Sequence, residues 1–377
     1  MLWMIESDDF HDWHWQMAHR INTVSELSRH VRLNIREING ITEAAKAFRW
    51  NITPYYASLM DPDDPNCPIR MQAIPDIREL DDCEGEMDPL AEDKKSPTKG
   101  LIHCYPDRVA FCVANECAMY CRHCVRKRIV GAPAESITWK DIQDGLDYIR
   151  RTPAIRDVLI TGGDPLTYPD TFIDRLLKSI REIDHVEIIR IGTRVLCTMP
   201  QRITSELCDI IARYHPVYVN TQFNHAKELT SEAAEACDKL AKAGVPLGNQ
   251  SVLLKGINDD PNVQLQLVRG LLKMRVRPYY LYQCEVLKGT AHFRTSLEDG
   301  ISIIEHLQGW TSGLAVPRFV IDSPIGKIPI APDTIVERNE DSVVLRNYEG
   351  RLCRMINHRK ATRVAQDATG CPAAAVM

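Results

Sequence analysis

The chain reads as an α/β protein, on three observations. Short apolar runs suited to buried strands alternate with amphipathic stretches, the amphipathic stretches open on residues that cap helices, and the pair recurs six times between Arg108 and Tyr282. Such alternation implies parallel strands joined by right-handed crossovers. The result is a doubly wound sheet or a full or partial barrel.

Taken in order, the first hundred residues differ from the rest. Trp3, Trp13, Trp15 and Trp50 lie among helical patterns, followed by the acidic run Asp81 to Pro97, which reads as a surface connector. The first strand of the series is RVAFCVA, Arg108 to Ala114. DVLIT (Asp157 to Thr161) follows a helical pattern that begins near Ser136, and VEIIRI (Val186 to Ile191) follows one from Asp170. PVYVNT, VPLGNQSVLL and RPYYLY continue the series, with Thr204 and Thr230 placed as N-caps and Gly244 where a helix should stop. A seventh extended run, AVPRFVID, ends at Asp322 and leads into the turn SPIGK; beyond Arg359 periodicity is lost and disorder is expected. The expected organisation is a helical N-terminal appendage and connector over 1–100, an α/β body over 101–322, and a C-terminal segment over 323–377.

With 377 residues the chain can bury a large core, and its net charge of −5 gives no electrostatic case for nucleic acid or a membrane surface. No apolar stretch reaches the length of a membrane span, and the first residues include early acids without a basic region before an apolar run. A cytoplasmic protein acting on small molecules is expected. Thirteen cysteines are an odd count in a large chain, which favours reduced thiols over a disulfide framework. Cys112, Cys197, Cys208 and Cys237 fall within strand-like or helical patterns, as small buried apolar residues do.

Cys117, Cys121 and Cys124, in CAMYCRHC, are different. Their C-x3-C-x2-C spacing falls on the loop just past the carboxyl end of the first strand, which in parallel barrels is the catalytic rim. Three thiolates can hold three irons of a 4Fe–4S cluster and leave the fourth open to a ligand. A structural zinc site is the alternative, but it ordinarily carries four ligands in paired groups, and no matching second pair follows.

CAMYCRHCVRKRIVG, LITGGDPL, LGNQSVLLKGIND, RVRPYYLYQCE and TSGLAVPRFVIDSPIGKIPIAP together resemble the lysine 2,3-aminomutase family of radical S-adenosylmethionine enzymes. DWHWQMAHRI and ITPYYASLMDPDDPNCPIR extend the resemblance nearly to the start of the chain. It implies a partial (β/α)6 TIM-like barrel, in agreement with the six units counted above. It also implies a 4Fe–4S cluster on Cys117, Cys121 and Cys124, with S-adenosylmethionine on the open iron and Gly162, Gly163 and Asp164 contacting its methionine amino group. Lys327 would carry pyridoxal phosphate as a Schiff base, with Tyr105, Arg108 and Gln250 at the phosphate. Taken in isolation, a lysine after glycine is ordinarily a solvated surface residue. Arg126 would grip the substrate α-carboxylate through two parallel hydrogen bonds, with Arg122, Lys127 and Arg128 crowded beside it.

The sequence departs from the family pattern in four places. Cys104 replaces an arginine of the phosphate site; Glu285 replaces the first of two aspartates that sense the substrate side chain, the second being Asp322; and the loop from Asp322 to Lys327 is shorter. Where the lysine enzymes follow the GIND-like run with a partner cysteine, this run continues Asp259 and Asp260, and only Cys353 and Cys371 remain in the tail, so no intersubunit zinc is expected. The implied function is an isomerase, a 2,3-aminomutase converting a basic L-α-amino acid to its β-amino acid, L-lysine first. Arginine or ornithine is the rival substrate, and an aminomutase of a translation-factor β-lysylation pathway is an alternative. An iron–sulfur sensor is the non-enzyme reading, but it has no use for Lys327 or Arg126. A flavodoxin- or ferredoxin-type electron donor and a homo-oligomer are also expected.

Overall fold

The computed structural model of the chain describes residues 8–339 and 341–356. Its centre is a nine-stranded sheet in which every strand lies beside its neighbour in sequence. β1 (Leu101–Tyr105) pairs antiparallel with β2 (Arg108–Ala114) through a tight turn. Parallel pairing then runs from β2 through β3 (Asp157–Gly162), β4 (Ile188–Gly192), β5 (Val217–Thr221), β6 (Leu247–Leu253) and β7 (Val276–Gln283) to β8 (Arg318–Ile321). β9 (Ile328–Ile330) turns back antiparallel to β8.

Each parallel crossover carries one helix of eight residues or more: α1 (Trp139–Arg150), α2 (Asp170–Arg181), α3 (Ser205–Ala212), α4 (Ser231–Lys242), α5 (Pro261–Lys273) and α6 (Leu297–Leu307). A sequential strand order winds in one direction only, so the sheet is a barrel wall and not the doubly wound alternative. Among the described residues no pairing joins β1 to β9, and the barrel is partial.

The sequence dictates the sheet through its two-residue period. In β2, Val109, Phe111 and Val113 are buried, and in β3 and β4 so are Val158, Ile160, Ile189 and Ile191. These pack in one apolar cluster with Ile149, Leu176, Ile180 and Leu207 of the helices outside. The intervening positions, among them Ala110, Leu159, Thr161, Arg190 and Asn220, face a cavity instead. Caps set the helix starts: Thr138 and Ser296 form capping boxes with Asp141 and Asp299, while Thr204 and Thr230 accept from Leu207 and Ala233 amides. Gly244 takes φ +80° just past α4, where a side chain would be strained. Asp260, the second of the two acids that close the GINDD run, is the N-cap of α5.

Ahead of the sheet come short helices at Trp13–Ala18, Val24–Leu27, Ile35–Ala47, Pro54–Ser58 and Pro68–Ala73. Ile21, Trp50, Tyr56 and Ile69 from this stretch share the apolar cluster of the barrel. Contacts divide the chain into two compact units, the second starting at Pro332. That unit holds an antiparallel sheet of Ile335–Arg338, Ser342–Arg346 and Leu352–Ile356, with Cys353 exposed on its last strand. Cys371 and the tail beyond Arg359 lie outside the described residues.

Candidate active site

A cavity of about 600 Å³ runs along the inner face of the sheet to the carboxyl ends of its strands. All thirteen residues singled out from the sequence line it: the three cysteines, Gly162 to Asp164, Tyr105, Arg108, Gln250, Arg126, Glu285, Asp322 and Lys327.

The cysteine loop leaves β2 and is clamped by the N-terminal helices. Tyr120 and Arg122 amides donate to the carbonyls of Asn51 (3.1 Å) and Gln72 (2.9 Å). The Arg122 guanidinium and Lys127 ammonium both bond Glu79, which is fully buried. Burial works to raise the Glu79 carboxyl, and the charges of Arg122 and Lys127 outweigh it, so the group lies below its ordinary range. These two cations therefore hold the loop, and Arg128 pairs with Asp93 (2.9 Å). Of the four basic residues in the run, only Arg126 reaches the cavity.

Burial pushes the Cys117 and Cys124 thiols up, Cys124 to about 11, and Cys121 contributes at both. The three sulfurs are thus electrostatic neighbours. Among the described residues no three such side chains converge tightly enough for a single metal ion. Three neighbouring thiols on one wide cavity suit a polynuclear cluster, in which each binds a different iron. Arg194 donates to Cys121 Sγ (2.7 Å) and is held by Gln72 (2.6 Å) and Glu228 (2.9 Å), a cation against sulfur that sequence reading missed.

Gly162 and Gly163 have a structural reason of their own. A Cβ on Gly162, whose φ is +121°, would fall on the carbonyl oxygen of Ala114, and one on Gly163 on that of Glu116. The end of β3 is therefore pressed against the start of the cysteine loop. The Asp164 carboxylate caps the turn at Leu166 (3.1 Å) and accepts from Thr193 Oγ1 (2.7 Å) and the Arg194 amide (2.7 Å). It braces the rim and points inward.

Across the cavity, the Lys327 amide donates to Tyr105 Oη (2.8 Å), and its Nζ lies 2.7 Å from Asp322 Oδ2 and 5.5 Å from the Tyr282 ring. Gly326, with φ +110° and Tyr105 packed against it, makes the tight turn before the lysine. The Arg108 guanidinium lies 3.8 Å from the centre of the Tyr105 ring. A lysine amine, a tyrosine and an arginine in this arrangement fit an aldehyde cofactor carrying a phosphate. Cys104 lines the same cavity, as does Lys95, whose ammonium donates to the Leu90 carbonyl (2.8 Å) and so adds a second cation.

At the side-chain end, Arg126 is matched by Glu92, at 2.8 Å, and Lys327 by Asp322, while among the described residues no cation bonds Glu285. Burial pushes its carboxyl up to about 7, with Asp322 raising it further and Lys327 partly offsetting. Leu90, Glu92 and Lys95, from the run 81–97 expected as a surface connector, also form part of the cavity wall.

The chain is similar to known proteins along most of its length. The family model described as "Radical SAM superfamily" matches residues 111–265, and that described as "Lysine-2,3-aminomutase" matches 304–371. The chain is 50% identical over 349 residues to L-lysine 2,3-aminomutase of Clostridium subterminale, covering 92% of this chain and 84% of that protein. The enzyme of the same name from Bacillus subtilis is 48% identical over 353 residues, 93% of this chain and 75% of its own length. Glutamate 2,3-aminomutase of Clostridioides difficile is 47% identical over 350 residues, 92% of this chain and 83% of that protein. Overall identity therefore does not separate a basic from an acidic substrate.

Proposed function

Since the chain belongs to the lysine 2,3-aminomutase family of radical S-adenosylmethionine enzymes, we propose that it converts a basic L-α-amino acid to its β-amino acid. L-Lysine is the proposed substrate, and the amino group moves from Cα to Cβ. The observation that carries the choice is Glu285, an unmatched carboxylate beside Asp322 in the cavity. A glutamate side chain there would add a third acid, and unpaired like charges in a buried site cost several kcal/mol. A lysine ammonium would instead give Glu285 its missing partner.

Cys117, Cys121 and Cys124 would hold the cluster and Lys327 the pyridoxal phosphate, with Tyr105, Arg108 and Gln250 lining the phosphate end. When bound, the cluster with S-adenosylmethionine supplies a 5′-deoxyadenosyl radical, and the pyridoxal supplies a carrier for the migrating nitrogen. The chain's own part is to aim these groups. Gly163 and the Asp164 amide fix the β3 end against the cysteine loop, and Arg126 takes the substrate carboxylate. Joining Lys327 to the cofactor would release Asp322 from its ion pair, so both acids could then face the substrate ammonium.

One electron for cleavage would come from a flavodoxin- or ferredoxin-type protein. A cytoplasmic setting suits an oxygen-sensitive cluster and reduced thiols; among the described residues no helix is long and apolar enough to cross a membrane. We also infer a homo-oligomer, as in the sequence reading. The test is anaerobic assay of the reconstituted protein on lysine, ornithine, arginine and glutamate. β-Lysine formation dependent on S-adenosylmethionine is expected, and faster turnover of glutamate than of every basic amino acid would overturn the reading.

A further inference from the structure

Glu92 has a side chain only 13% exposed, facing Arg126 from the cavity wall. It accepts from Arg126 Nε (3.0 Å) and Nη2 (2.8 Å), the side-on edge of the guanidinium. A guanidinium has five N–H donors, and this pairing uses two. Both donors of Nη1 and one of Nη2 remain, and one from each forms an end-on edge of the same geometry. Among the described residues the hydrogen bond of Nη1 is to Thr161 Oγ1, at 3.5 Å, too long to satisfy it. Thr161 also lines the cavity, so the unspent edge faces the space where substrate would lie.

Glu92 is itself fixed. Asp88 accepts from the amides of Glu92 (3.0 Å) and Asp93 (3.1 Å), and Arg128 bonds Asp93 (2.9 Å) and lies 3.5 Å from Asp88. A side chain anchored at its backbone and spent on the edge away from Thr161 is built to hold Arg126, not to be swung aside.

We propose that Glu92 is the positioning residue for Arg126, holding the guanidinium by its side-on edge so that its end-on edge meets the α-carboxylate of the substrate. This rests on the reading of Arg126 as the carboxylate-binding group. The opposite role, an internal acid that substrate must displace, predicts the opposite sign: removing Glu92 would then tighten binding.

The experiment uses the anaerobically reconstituted holoenzyme and follows the visible absorbance of bound pyridoxal as L-lysine is added without S-adenosylmethionine or reductant. Glu92→Gln should weaken lysine roughly tenfold, equivalent to ~1.4 kcal/mol. Lysinamide, which lacks the carboxylate, should bind both proteins alike, and Glu92→Asp should recover part of the loss. In turnover, KM should rise more than kcat falls. Iron content and borohydride trapping on Lys327 check that the fold is intact. Unchanged or tighter lysine binding in Glu92→Gln, with Arg126→Ala weakening it, would overturn the positioning role alone. Unchanged binding in Arg126→Ala would overturn the carboxylate assignment and this proposal with it.

Discussion

Glu285→Gln replaces a cavity carboxylate that no cation bonds among the described residues by a neutral group of nearly the same shape. Burial holds Glu285 at about 7 against an ordinary 4.5. A displacement of that size corresponds to roughly 3 kcal/mol against the ionised form. A substrate ammonium placed against Glu285 and Asp322 removes most of that penalty, so the wild-type site gains on binding what the Gln variant cannot. The expected loss in kcat/KM for lysine is therefore ~10- to 100-fold. Glutamate should change little or improve, since one repelling charge is gone.

The pH profile carries the same sign. The productive free enzyme has Glu285 ionised, so wild-type kcat/KM for lysine should rise with pH through about 7. Lys327 lowers Glu285, and its charge is lost when the cofactor is joined, which places the limb at or above that value. Glu285→Gln should lack the limb. Stability runs the other way: the folded carboxyl binds its proton more tightly than the unfolded one, so this group's contribution falls as pH rises from about 4.5 to about 7. The assay is anaerobic turnover of lysine and glutamate by both proteins across the neutral range. An identical acid limb in Glu285→Gln would remove this residue from the substrate site.

Alanine at Cys117, Cys121 or Cys124 should abolish the cluster's absorbance and S-adenosylmethionine cleavage after anaerobic reconstitution, and a variant that keeps both would refute that ligand. Lys327→Ala should lose borohydride trapping of pyridoxal while keeping iron; trapping on Lys95 or Lys288 instead would move the cofactor. Glu79→Gln leaves Arg122 and Lys127 buried without their carboxylate, and should lower stability to denaturant by ~3–5 kcal/mol. Gly163→Ala should impair cluster loading, because its Cβ would strike the Glu116 carbonyl behind the cysteine loop; normal iron content in that variant would show that the rim can yield.

Much of the barrel was legible because each inner strand carries its own signature. Val158, Ile160, Ile189 and Ile191 must be apolar to pack under helices, and the caps at Thr204 and Thr230 mark where those helices begin. The edge strands gave no such signal. β1 buries only Leu101 fully, and β9 is three residues long with Pro329 at its centre, which an edge strand tolerates because one side needs no ladder. The site divides in the same way. The cysteine spacing is local, so it was readable; Lys327 looks like any surface lysine until Tyr105, brought from 222 residues away, packs beside it and Asp322 pairs with it. Glu92 is the extreme case, an acid among acids whose meaning lies in a partner 34 residues away. Arg126 shows why this matters for chemistry. Its sequence position identifies a guanidinium near the cluster loop, but a guanidinium has two carboxylate-binding edges, and only the fold decides which one Glu92 occupies and which is left for substrate.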